Sequence, residues 1–438
     1  MKERRFAFVI EQCPDLSVRW NTNTLRPIAP LPPLGVLTLA AVLEREGWSV
    51  AVFDNSISKY PKERLLAAIT AFQPGVVGLS MTSLNAPGSL ELAASLSETG
   101  VPLLAGGPHA SVRPREVARA IGITTAVAGE ADLVIAALAE AVVRGQPVPE
   151  MSGIYTADSG EGVTAPSGEL DDLPDPARHL VPIESYGRTV RDVTDGAVDS
   201  LATSRGCPFQ CTFCSNPGAW GSEYRRHRTR SAASVADEME HLVGRYGSEG
   251  FFFREDNMTV SRAHVLALCD EFERRGFRYP WKCEAHVATV DEQVLERMVG
   301  VGLRSVWLGI ESGSDRMLRR MRKGFSAGRA KELLLFAKSL GLHTASGFLL
   351  GLPGETENDI AASVRLAEQT EIDDVWFQVY IGYPGSALYE EIRAHQLVEA
   401  QWHTILIPRT EIASFADSSK REGQLREHFR QLARVRCA

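Results

Sequence analysis

The sequence predicts an α/β protein built from two units in series: a doubly wound parallel sheet, then a partial (β/α)6 barrel. Three observations predict it. Short β-type runs alternate with helical periods up to about residue 143, joined by short connections. A stretch punctuated by proline and glycine follows at 146–198. A second alternation then runs from about 200 to 380, with about six βα units rather than eight.

In the first unit the apolar run 6–10 reads as a buried strand, and 34–46 has helical spacing up to Gly47. Strand 49–53, helix 62–72, strand 76–80, helix 88–98 and strand 101–105 continue the rhythm. A helix near 114–120, a short strand ending at Val127 and a helix over 133–143 close it. Ligands of such sheets bind beyond the carboxyl ends of the strands, where Asp54-Asn55-Ser56, Met81-Thr82-Ser83, Gly106-Gly107-Pro108-His109 and Gly129-Glu130 stand. No GxGxxG follows the first strand, so a standard dinucleotide site is not supported. The expected division is 1–145, a linker over 146–198 with one or two short strands such as 153–156, a barrel over 199–390, and a short helical tail over 391–438.

In the barrel, strands are expected at 201–204, 250–254, 281–284, 305–310, 343–350 and 374–380. Helices are expected at 232–246, 262–275, 292–301, 327–339 and 359–369. The tail carries Lys420, Arg421, Arg426, Arg430, Arg434 and Arg436 beside Leu425, Phe429, Leu432 and Val435. It reads as an amphipathic helix packed on the barrel, with a basic docking helix as the functional alternative.

Composition narrows the function classes. The chain has 438 residues and a net charge of −8, which does not suit a nucleic-acid coat. No apolar run approaches the ~18–20 residues of a membrane span. The basic-then-apolar start meets Glu11 too early for a secretory signal, so a cytoplasmic protein is expected. Seven cysteines, an odd number, argue for thiols or metal ligands rather than a disulfide framework.

Three of the seven fall within eight residues, Cys207-Pro208-Phe209-Gln210-Cys211-Thr212-Phe213-Cys214. Three thiolates suit a [4Fe–4S] cluster with one iron left open, or structural zinc with His227 as a fourth ligand. The loop follows the first barrel strand, where barrel enzymes keep their chemistry. Cys269 and Cys283 read as core residues, and Cys13 and Cys437 carry no partner signal. The basic run Arg225, Arg226, Arg228 and Arg230 reads either as an anion contact or as a salt-bridged loop.

At these residues the chain resembles the radical S-adenosylmethionine (SAM) enzymes. The cysteine spacing is similar to their signature. Phe253-Arg254-Glu255-Asp256-Asn257, Gly309-Ile310-Glu311-Ser312-Gly313-Ser314, Gly347 to Glu355, and Tyr383-Pro384-Gly385-Ser386-Ala387-Leu388-Tyr389 resemble the segments that follow in that family, over about 200–390. The resemblance implies that Cys207, Cys211 and Cys214 hold the cluster and that its open iron binds SAM. It implies Glu255, Asp256, Glu311, Ser312, Gly351 and Pro353 around SAM, each acid also being readable as a helix cap or first-turn charge.

In the first unit, Pro32-Pro33-Leu34-Gly35-Val36-Leu37-Thr38-Leu39-Ala40 resembles the first loop and helix of the cobalamin-binding domains of this enzyme class. The resemblance implies a Rossmann-like cobalamin domain, with Pro33, Leu34, Gly35, Asn55, Ser80, Thr82, Ser83, Gly106, Gly107, His109, Gly129 and Glu130 around the corrin. The wider family's Asp-x-His-x-x-Gly ligand motif is absent, since Asn55-Ser56-Ile57 follows Asp54. His109 is the substitute cobalt ligand to consider, with the corrin periphery or a helix start as its other readings. The implied enzyme is a cobalamin-dependent methyltransferase acting on a carbon of a small biosynthetic intermediate, such as a natural-product precursor. An external electron donor such as flavodoxin or ferredoxin would serve it, with no nucleic-acid or membrane partner. The alternative is a cyclase or rearrangement enzyme of the same class, and a non-catalytic zinc module the remote one. Tyr380 and Tyr383 are the candidate catalytic residues, beside Trp307, Trp376 and Gln378 as possible pocket walls.

Overall fold

The computed structural model describes residues 4–13, 31–159, 164–216, 218, 221, 225–402 and 405–408. The first sheet is built from β1 (Arg5–Ile10), β2 (Ser49–Asp54), β3 (Val76–Ser80), β4 (Leu103–Gly106), β5 (Ile123–Val127) and β6 (Ile154–Tyr155). Their order is β2-β1-β3-β4-β5-β6. The first five strands are parallel, and β6 adds antiparallel to β5. Phe6, Ala7, Phe8 and Val9 are all buried, as a parallel strand covered on both faces requires. Gly78 sits beside β1 because a Cβ there would lie 2.7 Å from the Phe6 ring. Helix Leu34–Arg45 buries Val36, Leu37, Ala40 and Leu43, an i, i+1, i+4, i+7 stripe. Strand order reverses at β1, which opens a crevice at the carboxyl edge between β1 and β3.

The second sheet has the order β14-β13-β12-β11-β10-β7, all parallel. Its strands are β7 (Val198–Leu201), β10 (Gly250–Phe253), β11 (Trp281–Ala285), β12 (Leu303–Leu308), β13 (His343–Leu350) and β14 (Asp374–Val379). It is the six-stranded partial barrel expected. Alternate residues face the outer helices: Phe251 and Phe253, then Val306 and Leu308, then Phe348 and Leu350 join one core. The helices begin where capping side chains stand. Ser231, Ser261, Asp291 and Ser326 each accept an amide N–H from the first turn of their helix. Thr356 and Asp359 form a capping box at helix Glu357–Thr370.

Three features differ from the expectation. The strand foreseen at 201–204 is two pieces, β7 and then β8 (Ser204–Arg205), and β8 pairs antiparallel with β9 (Arg228–Thr229) to bracket the cysteine loop. The stretch 146–198 is not a simple linker. Besides β6 it supplies buried Arg178, whose guanidinium meets Glu238 at 2.7 Å and the Ser200 carbonyl at 2.8 Å. Tyr186 also donates to Asp54 at 2.9 Å, so the segment ties both sheets together. The tail continues as a hairpin, β15 (Val398–Trp402) with β16 (Ile405–Pro408), rather than a helix. Its β-branched and aromatic residues favour the pleated arrangement. The basic residues from Lys420 to Arg436 lie outside the described residues. No helix among the described residues is long and apolar enough to cross a membrane.

Candidate cofactor site between the two sheets

The cysteine loop leaves the ribbon at Gly206, whose φ of 95° only glycine adopts readily. The barrel then pins it. Thr212 donates its amide to the Met321 carbonyl at 3.1 Å and its hydroxyl to the Arg320 carbonyl at 3.2 Å. Leu388 donates back to the Thr212 carbonyl at 2.8 Å, and Cys214 to that of Cys211 at 3.1 Å. Cys207, Cys211 and Cys214 are all half-buried free thiols. Burial, helped by Asp256 and the neighbouring thiols, pushes Cys207 up to about 11 and Cys214 up to about 12. A bound metal centre would have to displace those protons. Among the described residues no three His, Cys, Asp or Glu side chains converge on one ion. Three thiolates on one loop suit a [4Fe–4S] cluster with one iron left without a protein ligand.

A cavity of about 510 Å³ opens between the sheets and reaches this loop. Its first-domain wall includes Leu34, Gly35, Ser80, Gly106, Gly107, Gly129 and Glu130. A Cβ built on Gly35 or Gly106 meets no atom within 4 Å, so these glycines leave room for a ligand. Leu170, Leu173 and Pro174 close one side. On the barrel side lie Ser204, Arg205, Gly206, Arg254, Glu255 and Asp256. The residues present fit a large flat cofactor at the first sheet and a cluster beside it.

The other first-domain candidates support the loops and do not line the cavity. Asn55 donates to Glu11 at 2.7 Å and accepts from the Tyr60 amide at 2.7 Å. The Thr82 amide donates to Asn85 at 2.7 Å. Ser83 meets Nδ1 of buried His109 at 3.1 Å, and burial with nearby Arg113 lowers His109 to about 4. Pro33 caps helix Leu34–Arg45. Glu130 lines the cavity, but its carboxylate is bound by Arg205 at 3.1 Å and by Arg228. Asp132 holds the same Arg205 at 2.7 Å. This interdomain ion network absorbs much of the basic run: Arg228 goes to Glu130, Arg230 to Glu238 and Asp175, and Arg226 to Glu169.

Of the barrel candidates, buried Glu255 accepts from the Thr203 amide at 3.0 Å, from the Thr203 hydroxyl at 2.9 Å and from Ser204. Burial raises it to about 7 against those donors. Asp256 receives the Asn216 amide at 2.7 Å. Glu311 has a φ of 71° and lies 3.8 Å from the Lys323 ammonium, and burial raises its carboxyl. Ser312 is fully buried; its hydroxyl accepts from the Ser314 amide at 3.1 Å. The Gly351 and Leu352 amides are taken by Glu355 at 2.5 and 3.3 Å, and Pro353 sits in that turn. Tyr380 packs in a core with Met317, Leu352 and Tyr389. Half-buried Tyr383 is close enough to Cys13 of the first domain for the two to interact electrostatically. Neither tyrosine lines the cavity. Trp307 and Trp376 meet edge to face at 5.9 Å.

Two groups beside the loop escaped the sequence reading. Lys323 is buried, stands 5.7 Å from the Phe213 and Phe325 ring centres, and its charge lowers the Cys207 and Cys211 thiols. His286 stacks on Phe209. His286 does follow a barrel strand, a position that marks ligand-facing residues; Lys323, in a loop after a helix, had no such signal.

The comparisons with known proteins agree with this geometry. A model of the radical SAM superfamily matches residues 201–367, and a model of the B12 binding domain matches 27–139. An uncharacterized methyltransferase of Pyrococcus horikoshii is 29% identical over 376 residues, covering 84% of this chain and 80% of the relative. The anaerobic magnesium-protoporphyrin IX monomethyl ester cyclase of Rubrivivax gelatinosus is 26% identical, with 82% and 66% covered. The solved structure of the radical SAM methyltransferase TsrM from Kitasatospora setae, with tryptophan and a SAM analogue, aligns with a TM-score of 0.72 at 20% identity. That alignment covers 91% of this chain and 78% of TsrM. The two domain matches call for a [4Fe–4S] cluster, SAM and cobalamin as cofactors. The chain thus belongs to the radical SAM enzymes that carry a B12-binding domain.

Proposed function

We propose that this enzyme moves a methyl group from SAM, by way of cobalamin, to a carbon atom of a small molecule. The observation that carries the reading is a cavity whose walls come from both the B12-binding sheet and the segment that opens the cysteine loop. When bound, the cofactors supply reductive SAM cleavage and methyl transfer.

The chain's own residues position and shield. Cys207, Cys211 and Cys214 hold the cluster, while Asp256 and Glu311 offer carboxylates towards SAM. Gly35 and Gly106 admit the corrin by lacking side chains, and the Arg205 network sets the spacing of the two domains. His109, held by Ser83 and kept neutral, braces the corrin loops and does not ligate cobalt. Tyr383 faces the first domain and is the tyrosine we retain on the substrate side; Tyr380 is a packing residue. A reducing compartment suits free thiols, so we place the enzyme in the cytoplasm with a flavodoxin or ferredoxin as electron donor.

The test is anaerobic incubation with methyl-labelled SAM, a reductant, cobalamin and a panel of acceptors that includes tryptophan. Accumulation of S-adenosylhomocysteine with label in an acceptor is expected. 5′-Deoxyadenosine accumulating with no S-adenosylhomocysteine would refute methyl transfer and favour the cyclase class.

A further inference from the structure

The ring of His286 lies against the cysteine loop. It stacks on Phe209, midway between Cys207 and Cys211, with centroids 4.0 Å apart and planes 15° apart. Phe325 meets it edge-on at 5.3 Å. The side chain is 7% exposed. Its Nδ1 accepts the amide N–H of Ala288 at 3.2 Å. An accepting ring nitrogen carries no proton, so the neutral imidazole keeps its proton on Nε2. Burial and the Lys323 charge hold the group down at about 3, which keeps the ring neutral at working pH. Nε2–H is thus a fixed, buried donor, and no acceptor among the described residues reaches it. Buried donors are rarely left so, and the stack and the Ala288 bond prevent this one from turning to water.

We propose that His286 donates this N–H to a sulfur of the [4Fe–4S] cluster and thereby raises the cluster's reduction potential. The inference rests on Cys207, Cys211 and Cys214 holding that cluster. The ring's packing partner is the cluster loop itself, and Lys323 beside it adds positive charge at the same wall. A donor hydrogen bond stabilises the more negative, reduced cluster over the oxidised one, and hydrogen bonds to the sulfurs are an established control on such potentials. His286 is a positioning residue in this scheme; it sets how readily one electron enters and touches no reacting carbon.

Two variants test it. His286→Phe keeps the stack and removes the donor, and His286→Gln returns an amide N–H with similar reach. Each protein is purified anaerobically, its iron and sulfide are counted, and its cluster is titrated with dithionite while the reduced signal is followed by electron paramagnetic resonance. With parental iron and sulfide, H286F should show about a tenfold smaller ratio of reduced to oxidised cluster at a fixed potential, 59 mV for one electron, and H286Q should recover most of it. The parent's reduced cluster should also show a weak nitrogen coupling that changes on 15N-histidine labelling. A full cluster with unshifted potential in H286F overturns the proposal and leaves the cluster reading intact. A parent without iron and sulfide overturns both. A nitrogen coupling that appears only after SAM is added assigns the donor to SAM and overturns the proposal. If H286F loses its cluster, the labelled parent decides alone: a coupling without SAM supports the proposal, and none overturns it.

Discussion

The carboxyl edge of the first sheet and the cysteine end of the barrel face one cavity, yet they are built by opposite means. The first is shaped by what is missing: Gly35 and Gly106 leave space that a Cβ would enter without contact. The second is crowded with chemistry: three thiols, buried Glu255 and Lys323, half-buried Glu311, and a histidine stacked on the loop. A large preformed ligand needs shape, whereas a cluster assembled from iron and sulfide needs ligands and charges. Between them, Arg205 and Arg228 join Glu130 and Asp132 across the domain boundary.

The strongest way to break this contrast is at the crowded end. Cys211→Ala should abolish the cluster, with iron and sulfide near zero and turnover down at least about a hundredfold, since even outer-sphere changes at metal sites cost 10- to 100-fold. Cobalamin affinity should hardly change, because the cavity wall at Gly35 and Gly106 is untouched; loss of both cofactors together would show that the regions are not independent. Next comes the seam. Arg178 and Glu238 are 2% and 1% exposed, so Arg178→Ala strips one of two guanidiniums from a buried carboxylate, Arg230 keeping its place, and should lower unfolding free energy by about 1–3 kcal/mol. Urea titration of the purified protein checks it, and a loss under about 1 kcal/mol would mean that water reaches Glu238.

At the open end the prediction reverses. Gly106→Leu should weaken cobalamin about 10- to 100-fold in a spectroscopic titration while thermal stability stays near the parent's, because the position lines the cavity and a Cβ there meets no protein atom within 4 Å. Gly107→Ala, one residue on, should do the opposite. Gly107 has a φ of 93° and its Cβ would lie 2.8 Å from the Met81 carbonyl oxygen, so stability should fall by roughly 1–3 kcal/mol. If both behave alike, the cavity is not the cobalamin site.

The same contrast explains what could be read from the sequence. Thiols at fixed spacing announce themselves, and so do strands such as Phe6–Val9 and helices such as 232–246 and 292–301, because their signals are local. The two-residue β6 was foreseen within 153–156, but its antiparallel pairing was not, since that is set by β5. The ion pairs of Arg178, Arg205 and Glu130 were not legible, because only the packed segment 146–198 and the domain boundary bring their partners together. Ser312 and the Gly351 turn were legible as positions but not their partners: Ser363 lies beside Ser312, and the carboxylate of Glu355 takes the turn's amides. His286 was passed over because its meaning depends on Phe209, 77 residues earlier by 286 − 209.

The smallest effect separates the two regions by pH. Glu355 is 2% exposed, and burial raises it to about 7 although the Gly351 and Leu352 amides hold its carboxylate. An acid whose folded pKa lies above its unfolded value of 4.5 binds more protons when folded, so stability falls as pH rises from about 4.5 through 7. Glu355→Gln removes that dependence. Relative to the variant, the parent should lose about 1 kcal/mol of unfolding free energy between pH 6 and pH 7, read from urea titrations at the two values. His109 at the open end has the opposite sign: lowered to about 4, it favours folding above pH 6.5 and withdraws that contribution as pH falls towards 4. Between pH 6 and pH 7 it shifts stability by about 0.7 kcal/mol in the opposite direction, which cancels from the comparison because the Glu355→Gln protein keeps His109. A parent and a Glu355→Gln protein with parallel stability curves over that unit would mean that the carboxylate is already ionised in its turn, with the two amides outweighing its burial.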